Sequence, residues 1–230
     1  MKKNCLLCFL LFFSCHSALA GESLDSLLNV LDKTIKEADT YVQIKENKLH
    51  ELKKEARKTP PFSVERYHLN NDIYLEYKAY SSDSALHYLN ENMLLARQLN
   101  DKERELKIQL ELSYLLSSIG MYMEAADILN SIDRQTLPSS LLGHYYTCYE
   151  HVYFEAGAAQ PRYKMFASRY VKLSHAYRDS MQITLDPSSA TYLWLRETQL
   201  REAGKYDEAL EFSDRRLAES SFGTPQYALV

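Results

Sequence analysis

Four residues whose types bind metals or take part in nucleophilic chemistry recur along one stretch of the chain: His144, Cys148, His151 and Glu155. Their spacing of four, three and four places them on one stripe of a helix spanning residues 141–156. A thiolate, an imidazole and a carboxylate can each ligate a transition metal, and paired histidines four apart on a helix do so elsewhere. At roughly 100° per residue the stripe lies about 110° from the core face of Tyr145, Tyr149 and Val152. Two readings follow. In one, His144, Cys148 and His151 hold a metal or cofactor; in the other, all four form a half-exposed helix flank that lines a groove. One straight helix wraps four ligands round a single tetrahedral ion only with difficulty, so the stripe is read as groove-lining and no metal or cofactor is assigned. The remaining histidines, His50, His68, His87 and His175, stand among polar residues and are expected in solvent. No nucleophile-elbow serine, zinc-protease helix motif or glycine-rich phosphate loop is present, so the chain is not read as an enzyme.

The elements that position this stripe repeat. From Ala190 to Leu217 the chain reads as two helices joined at Gly204, a residue that accepts the left-handed backbone that ends a helix. Trp194 lies on the first helix. Tyr206 is expected to wedge between the pair, and Ala209 is small enough to let the second helix approach closely. The same glycine–tyrosine–alanine arrangement stands at Gly120, Tyr122 and Ala125. Ala125 and Ala209 are 84 residues apart, two units of 42, and Ala85 precedes Ala125 by 40. A period of this size marks a solenoid of helical hairpins. The earliest hairpin is expected from Val64 to Ala79, then from a cap at Asp83 or Ser84. A third unit falls near Ala167, with a looser turn at residues 157–161, and Asp186-Pro187 is expected to open the fourth. About four hairpins therefore fill residues 62–220.

Ahead of them, Leu24, Leu28, Leu31, Ile35, Ala38, Val42, Leu49, Leu52 and Ala56 alternate in steps of four and three, with Lys45 at the one missing place. This heptad pattern predicts a helix over residues 21–59, about 50 Å long, that stops before Pro60. It either caps the first hairpin or pairs with a second copy as a coiled coil. At the other end, Thr224 and Pro225 announce a new helix. Residues 221–230 then read as the start of a cut-off repeat, expected to fray beyond about Ser221 and to leave an apolar flank on the helix before it.

Composition adds limits. The 230 residues carry a formal charge of −4, and tyrosine is abundant, 18 against 8 Phe and 1 Trp. Tyrosine fills space between helices while keeping a hydroxyl for water, which suits a thin structure. An acidic chain without a concentrated basic face argues against direct binding of nucleic acid. Residues 1–20 read as a secretory signal peptide: a basic Lys2-Lys3, an apolar stretch from Leu6 to Phe13, and Ala18-Leu19-Ala20 at the cleavage site. The location expected is periplasmic, with lipidation at Cys15 the less favoured variant. Cleavage would remove Cys5, Cys8 and Cys15, so Cys148 alone remains and no internal disulfide is expected.

The run Ala203-Gly204-Lys205-Tyr206-Asp207-Glu208-Ala209-Leu210 resembles the turn of a tetratricopeptide repeat. The fold class expected is therefore all-α, an α-α superhelix behind a long N-terminal helix. From Leu24 to Val230 the chain further resembles a family of exported tetratricopeptide-repeat regulators of Bacteroidetes, classed as a domain of unknown function. Leu75-Glu76-Tyr77-Lys78-Ala79-Tyr80, Asp83-Ser84-Ala85-Leu86-His87-Tyr88 and Ala96-Arg97-Gln98-Leu99-Asn100-Asp101 carry that likeness. Members are typically longer, with a membrane span and a DNA-binding region after the exported part, so the resemblance implies the clipped sensor half of a membrane-associated transcriptional regulator. The function expected is non-catalytic binding of a protein or peptide in the groove. Self-association through Leu24–Ala56 is a further expected contact, and a membrane enters only through the signal or a missing C-terminal part.

Overall fold

A computed structural model describes residues 25–26, 28–159 and 162–220; the leader, Leu24 and the expected start of a further repeat at Thr224 lie outside them. Every regular element among the described residues is an α-helix. None is long and apolar enough to cross a membrane. The chain divides into two compact units, residues 1–55 and 56–230.

In the first unit residues 28–36 are helical, a turn falls at residue 37, and α1 (Ala38–Lys58) continues across the unit boundary. Among the described residues the heptad stretch is thus helical with a turn at Glu37, and it ends at Lys58 ahead of Pro60, whose ring disfavours helical angles in the residue before it. Leu28, Leu31, Ile35 and Val42 are exposed, whereas Leu49 is fully buried.

The second unit is built from helix pairs. They are α2 (Val64–Tyr77) with α3 (Ser82–Gln98), α4 (Lys102–Ser118) with α5 (Tyr122–Ser131), α6 (Ser139–Ala158) with α7 (Lys164–Thr184), and α8 (Ala190–Glu202) with α9 (Tyr206–Glu219). Successive pairs stack: α3 packs on α4, both α4 and α5 pack on α6, and α7 makes a smaller contact with α8. This is an all-α tetratricopeptide-like repeat.

Local chemistry explains the helix ends. Ser63, Asp101 and Ser189 cap α2, α4 and α8, each side chain accepting from the amide three residues on. Such a cap contributes about 1 kcal/mol. Two expected starts differ. Ser81 occupies the cap position of α3 in place of Asp83 or Ser84, its extended backbone ending where Ser82 turns helical. Asp186 does not open α8; its carboxylate accepts from the amide and hydroxyl of Ser188, a local turn that keeps Pro187 outside the helix.

Gly120 and Gly204 have φ of 88° and 75°, the left-handed backbone expected at the hairpin turns. In each, the amide one residue beyond reaches back to a carbonyl in the last helical turn, Met121 to Leu116 and Lys205 to Leu200, both 2.9 Å. Asn100, with φ of 52°, does the same between α3 and α4, where Asp101 bonds to Ala96.

Small residues sit where helices meet: Ala85, Ala125 and Ala209 are all buried. Tyr206 corrects the sequence reading. It is 65% exposed and does not wedge between helices: it opens α9 with its side chain in solvent, and Ala209 is the residue of α9 that is buried. Tyr122 is half-buried, as is Trp194, which packs against the core formed by Leu110, Leu129, Cys148, Met181 and Leu195. Each fully buried leucine there contributes about 2 kcal/mol. Tyrosines fill the α6–α7 seam, where the rings of Tyr149 and Tyr177 stack at 4.7 Å.

Candidate functional site

The first helices of the first three pairs form one face. α4 packs directly on α6, and α2 joins α4 through the Tyr74 hydroxyl, which donates to Glu111 Oε2 at 2.6 Å. Glu111, Tyr114 and Ser118 recur at three and four along α4, so they share one stripe. Tyr74 and Lys78 face them from α2, and His144 and His151 from α6.

Glu111 is the hub. Lys78 Nζ donates to its Oε2 at 3.1 Å, and His144 Nε2 lies 3.6 Å from its Oε1. Burial alone would raise the Glu111 carboxyl, but Lys78, His144 and the bonds from Tyr74 and Lys78 hold it below the usual range. Burial pushes His144 down despite the pull of Glu111, with Lys78 and Lys107 adding to the shift. At neutral pH the Glu111–His144 approach is therefore a carboxylate beside a neutral ring, while Lys78–Glu111 is an ion pair.

Tyr114 is sandwiched. Lys78 Nζ stands 4.4 Å from its ring centroid, and the His151 ring stacks against it at 4.0 Å. Burial pushes His151 down to about 4, with Lys78 adding to it, so this imidazole too is neutral. Its Nε2 lies 2.9 Å from Ser118 Oγ. That hydroxyl already donates to the Tyr114 carbonyl, also at 2.9 Å. A hydroxyl has one proton to give, so Nε2–H is the donor to Ser118, the wrong polarity for a serine–histidine nucleophile.

Cys148 departs from the sequence reading. It does not line the face: it is fully buried and its Sγ donates to the Leu110 carbonyl at 3.3 Å. Burial also holds its thiol well above the ordinary range. The reason is that α6 is covered by α4, α5 and α7, so the flank assigned to solvent is core. His144 and His151 turn to α4, Glu155 is half-buried, and among the described residues no group of three or more His, Cys, Asp or Glu is placed to hold a metal ion.

Comparison with known families adds the missing frame. The sequence model of the SusR N-terminal TPR domain matches residues 35–230. The chain belongs to that family. No curated protein and no solved structure matches it. Members of a tetratricopeptide-repeat family commonly act through protein–protein interaction and are generally non-catalytic scaffolds. The family assignment therefore fits a face made of half-buried polar and aromatic side chains with no activated nucleophile.

Sequence reasoning missed Lys78, Glu111, Tyr114 and Ser118. The available signal was the polar stripe on α4, three residues at helical spacing set among Leu110, Leu112, Leu115 and Leu116.

A second polar cluster is structural. Arg178, buried, donates from Nε to Glu150 and from Nη1 to Glu202, both at 2.8 Å, and Ser174 donates to Glu150 at 2.9 Å. It ties α6, α7 and α8 together.

Proposed function

We propose that the face of α2, α4 and α6 binds a protein or peptide segment in the periplasm, as the non-catalytic sensory part of a membrane-associated transcriptional regulator. The observation that carries this reading is the Lys78–Tyr114–His151 sandwich over Glu111. It holds a cation, an aromatic edge and an imidazole in fixed positions from three different helices, and that is how a rigid surface recognises a segment laid across it. Panning random displayed peptides against the full-length protein tests it. Enriched peptides are expected to lose on the order of tenfold in affinity on Tyr114→Ala or Ser118→Arg and to be unaffected by Tyr163→Ala. Absence of enrichment, or equal binding to all variants, removes the reading. Cell fractionation that finds the protein in the cytoplasm removes its periplasmic half.

Self-association is a second reading, favoured by the exposure of Leu28, Leu31, Ile35 and Val42 at heptad positions.

A further inference from the structure

The pair α6–α7 is the longest of the four, 20 and 21 residues, while α8 has only 13. Two contacts fix how far α8 reaches along α7. Gln199 Nε2 lies 3.4 Å from Gln182 Oε1, and Glu202, the last helical residue of α8, meets Arg178. The first half of α7 therefore runs on past α8 for about 15 Å. On this overhang Met165, Phe166 and Val171 are exposed, Met165 to 75%. Lys164, Arg169 and Lys172 stand exposed among them, and none has an acidic partner among the described residues. No acid occurs in the sequence between Glu155 and Asp179. On α7 the residues Met165, Arg169 and Lys172 share one side with Phe166 at its margin, whereas Val171 lies about 120° or more round the helix and turns towards Gly157 of α6, so an acidic chain carries an exposed apolar pair beside two bases.

The heptad stretch presents the complement. Leu28, Leu31, Ile35 and Val42 form an exposed seam, and Asp32 and Asp39 each follow a seam position directly, so both stand beside the seam. Lys33 and Lys36 fall on the opposite side of the helix. Two such helices paired in parallel set Asp39 against Thr34 and gain no ion pair there; paired antiparallel, they set acid against acid. A like partner adds no charge pairing along the seam, whereas a basic apolar surface does.

We propose that the seam of residues 28–42 docks on the α7 overhang of a second copy of this chain. The inference rests on the self-association reading and names the surface that receives the seam. Leucines and Ile35 lie against Met165 and Phe166, while Asp32 and Asp39 meet Arg169 and Lys172. Reciprocal exchange closes a pair of copies, and one-way exchange builds an open chain.

Sedimentation analysis of the full-length protein over a concentration series tests this. The wild type is expected to associate, and to do so less at ~1 M than at ~0.05 M salt, because exposed ion pairs are screened. Asp32→Lys/Asp39→Lys and Arg169→Glu/Lys172→Glu should each weaken association on the order of tenfold or more. Mixing the two variants should restore it, since each then offers the charge the other's surface requires. A wild type that stays monomeric removes both self-association and this inference. If the Arg169→Glu/Lys172→Glu variant associates as wild type while Leu31→Ser/Ile35→Ser does not, self-association stands and the α7 seat is overturned. Circular dichroism of each variant separates lost association from lost folding.

Discussion

At the residue scale the two histidines of the face make stability depend on pH. His151 ordinarily titrates near 6.5 and is held at about 4 in the folded chain. A depressed folded value means that the unfolded state takes up the proton first, so the stabilising effect is complete above 6.5 and is lost as pH falls from there towards 4. Each unit is worth about 1.4 kcal/mol; the partial exposure of the ring keeps the effect nearer 1–2 kcal/mol. His144 acts in the same direction. Glu111, also depressed, adds its own loss below the ordinary carboxylate range. Urea denaturation between pH 4 and 7 should show the fall, and His151→Gln should flatten its upper limb; an unchanged slope would mean the ring is not held neutral. The Arg178 cluster makes a second prediction. Removing one partner of a buried ion pair leaves the other uncompensated, at about 3–5 kcal/mol. Arg178→Met should therefore destabilise on that order by denaturant midpoint, and Glu150→Gln in the same background should recover part of it.

At the element scale the turns were readable and the burials were not. Gly120 and Gly204 were legible because a positive φ restricts the residue type at that single position, whatever packs nearby. A methyl group added at Gly204 would meet nothing within 4 Å, so Gly204→Ala isolates the backbone term. It should cost about 1–2 kcal/mol in thermal or urea denaturation, with the fold intact. A neutral result would mean that the turn relaxes to negative φ. Tyr206 was misread because a local pattern gives the residue type at the start of a helix but not which neighbour, if any, covers it. Cys148 was misread for the reverse reason: periodicity locates a core face, but α6 is covered by α4, α5 and α7, so the stripe that carries His144 and His151 to the face runs through the core at Cys148. Lys78 and Glu111 were illegible as a pair, since they lie 33 residues apart and meet only because α2 and α4 stand side by side.

At the scale of the repeat array, stability should be uneven. In a stacked array each hairpin is held by its own helix pair and by its neighbours, so a thin junction opens first. α4, α5 and α6 share a continuous core with Leu110, Leu129 and Cys148 fully buried. The α8–α9 hairpin meets α7 through a much smaller contact, anchored by Leu195 and by Arg178–Glu202. Only Ala209 is buried on α9, and Leu210 is 60% exposed. Native-state hydrogen exchange should therefore find the α8 and α9 amides opening at lower free energy than those of α4 and α6. Glu202→Gln keeps the helix but weakens the charge-assisted bond to Arg178, which is worth about 1.5–3 kcal/mol. It should speed exchange in α8 and α9 while leaving α2 to α5 unchanged. Uniform exchange across all four hairpins, or a Glu202→Gln effect spread over the whole unit, would show instead that residues 56–220 unfold as one cooperative body and that the α7–α8 junction is no weaker than the rest.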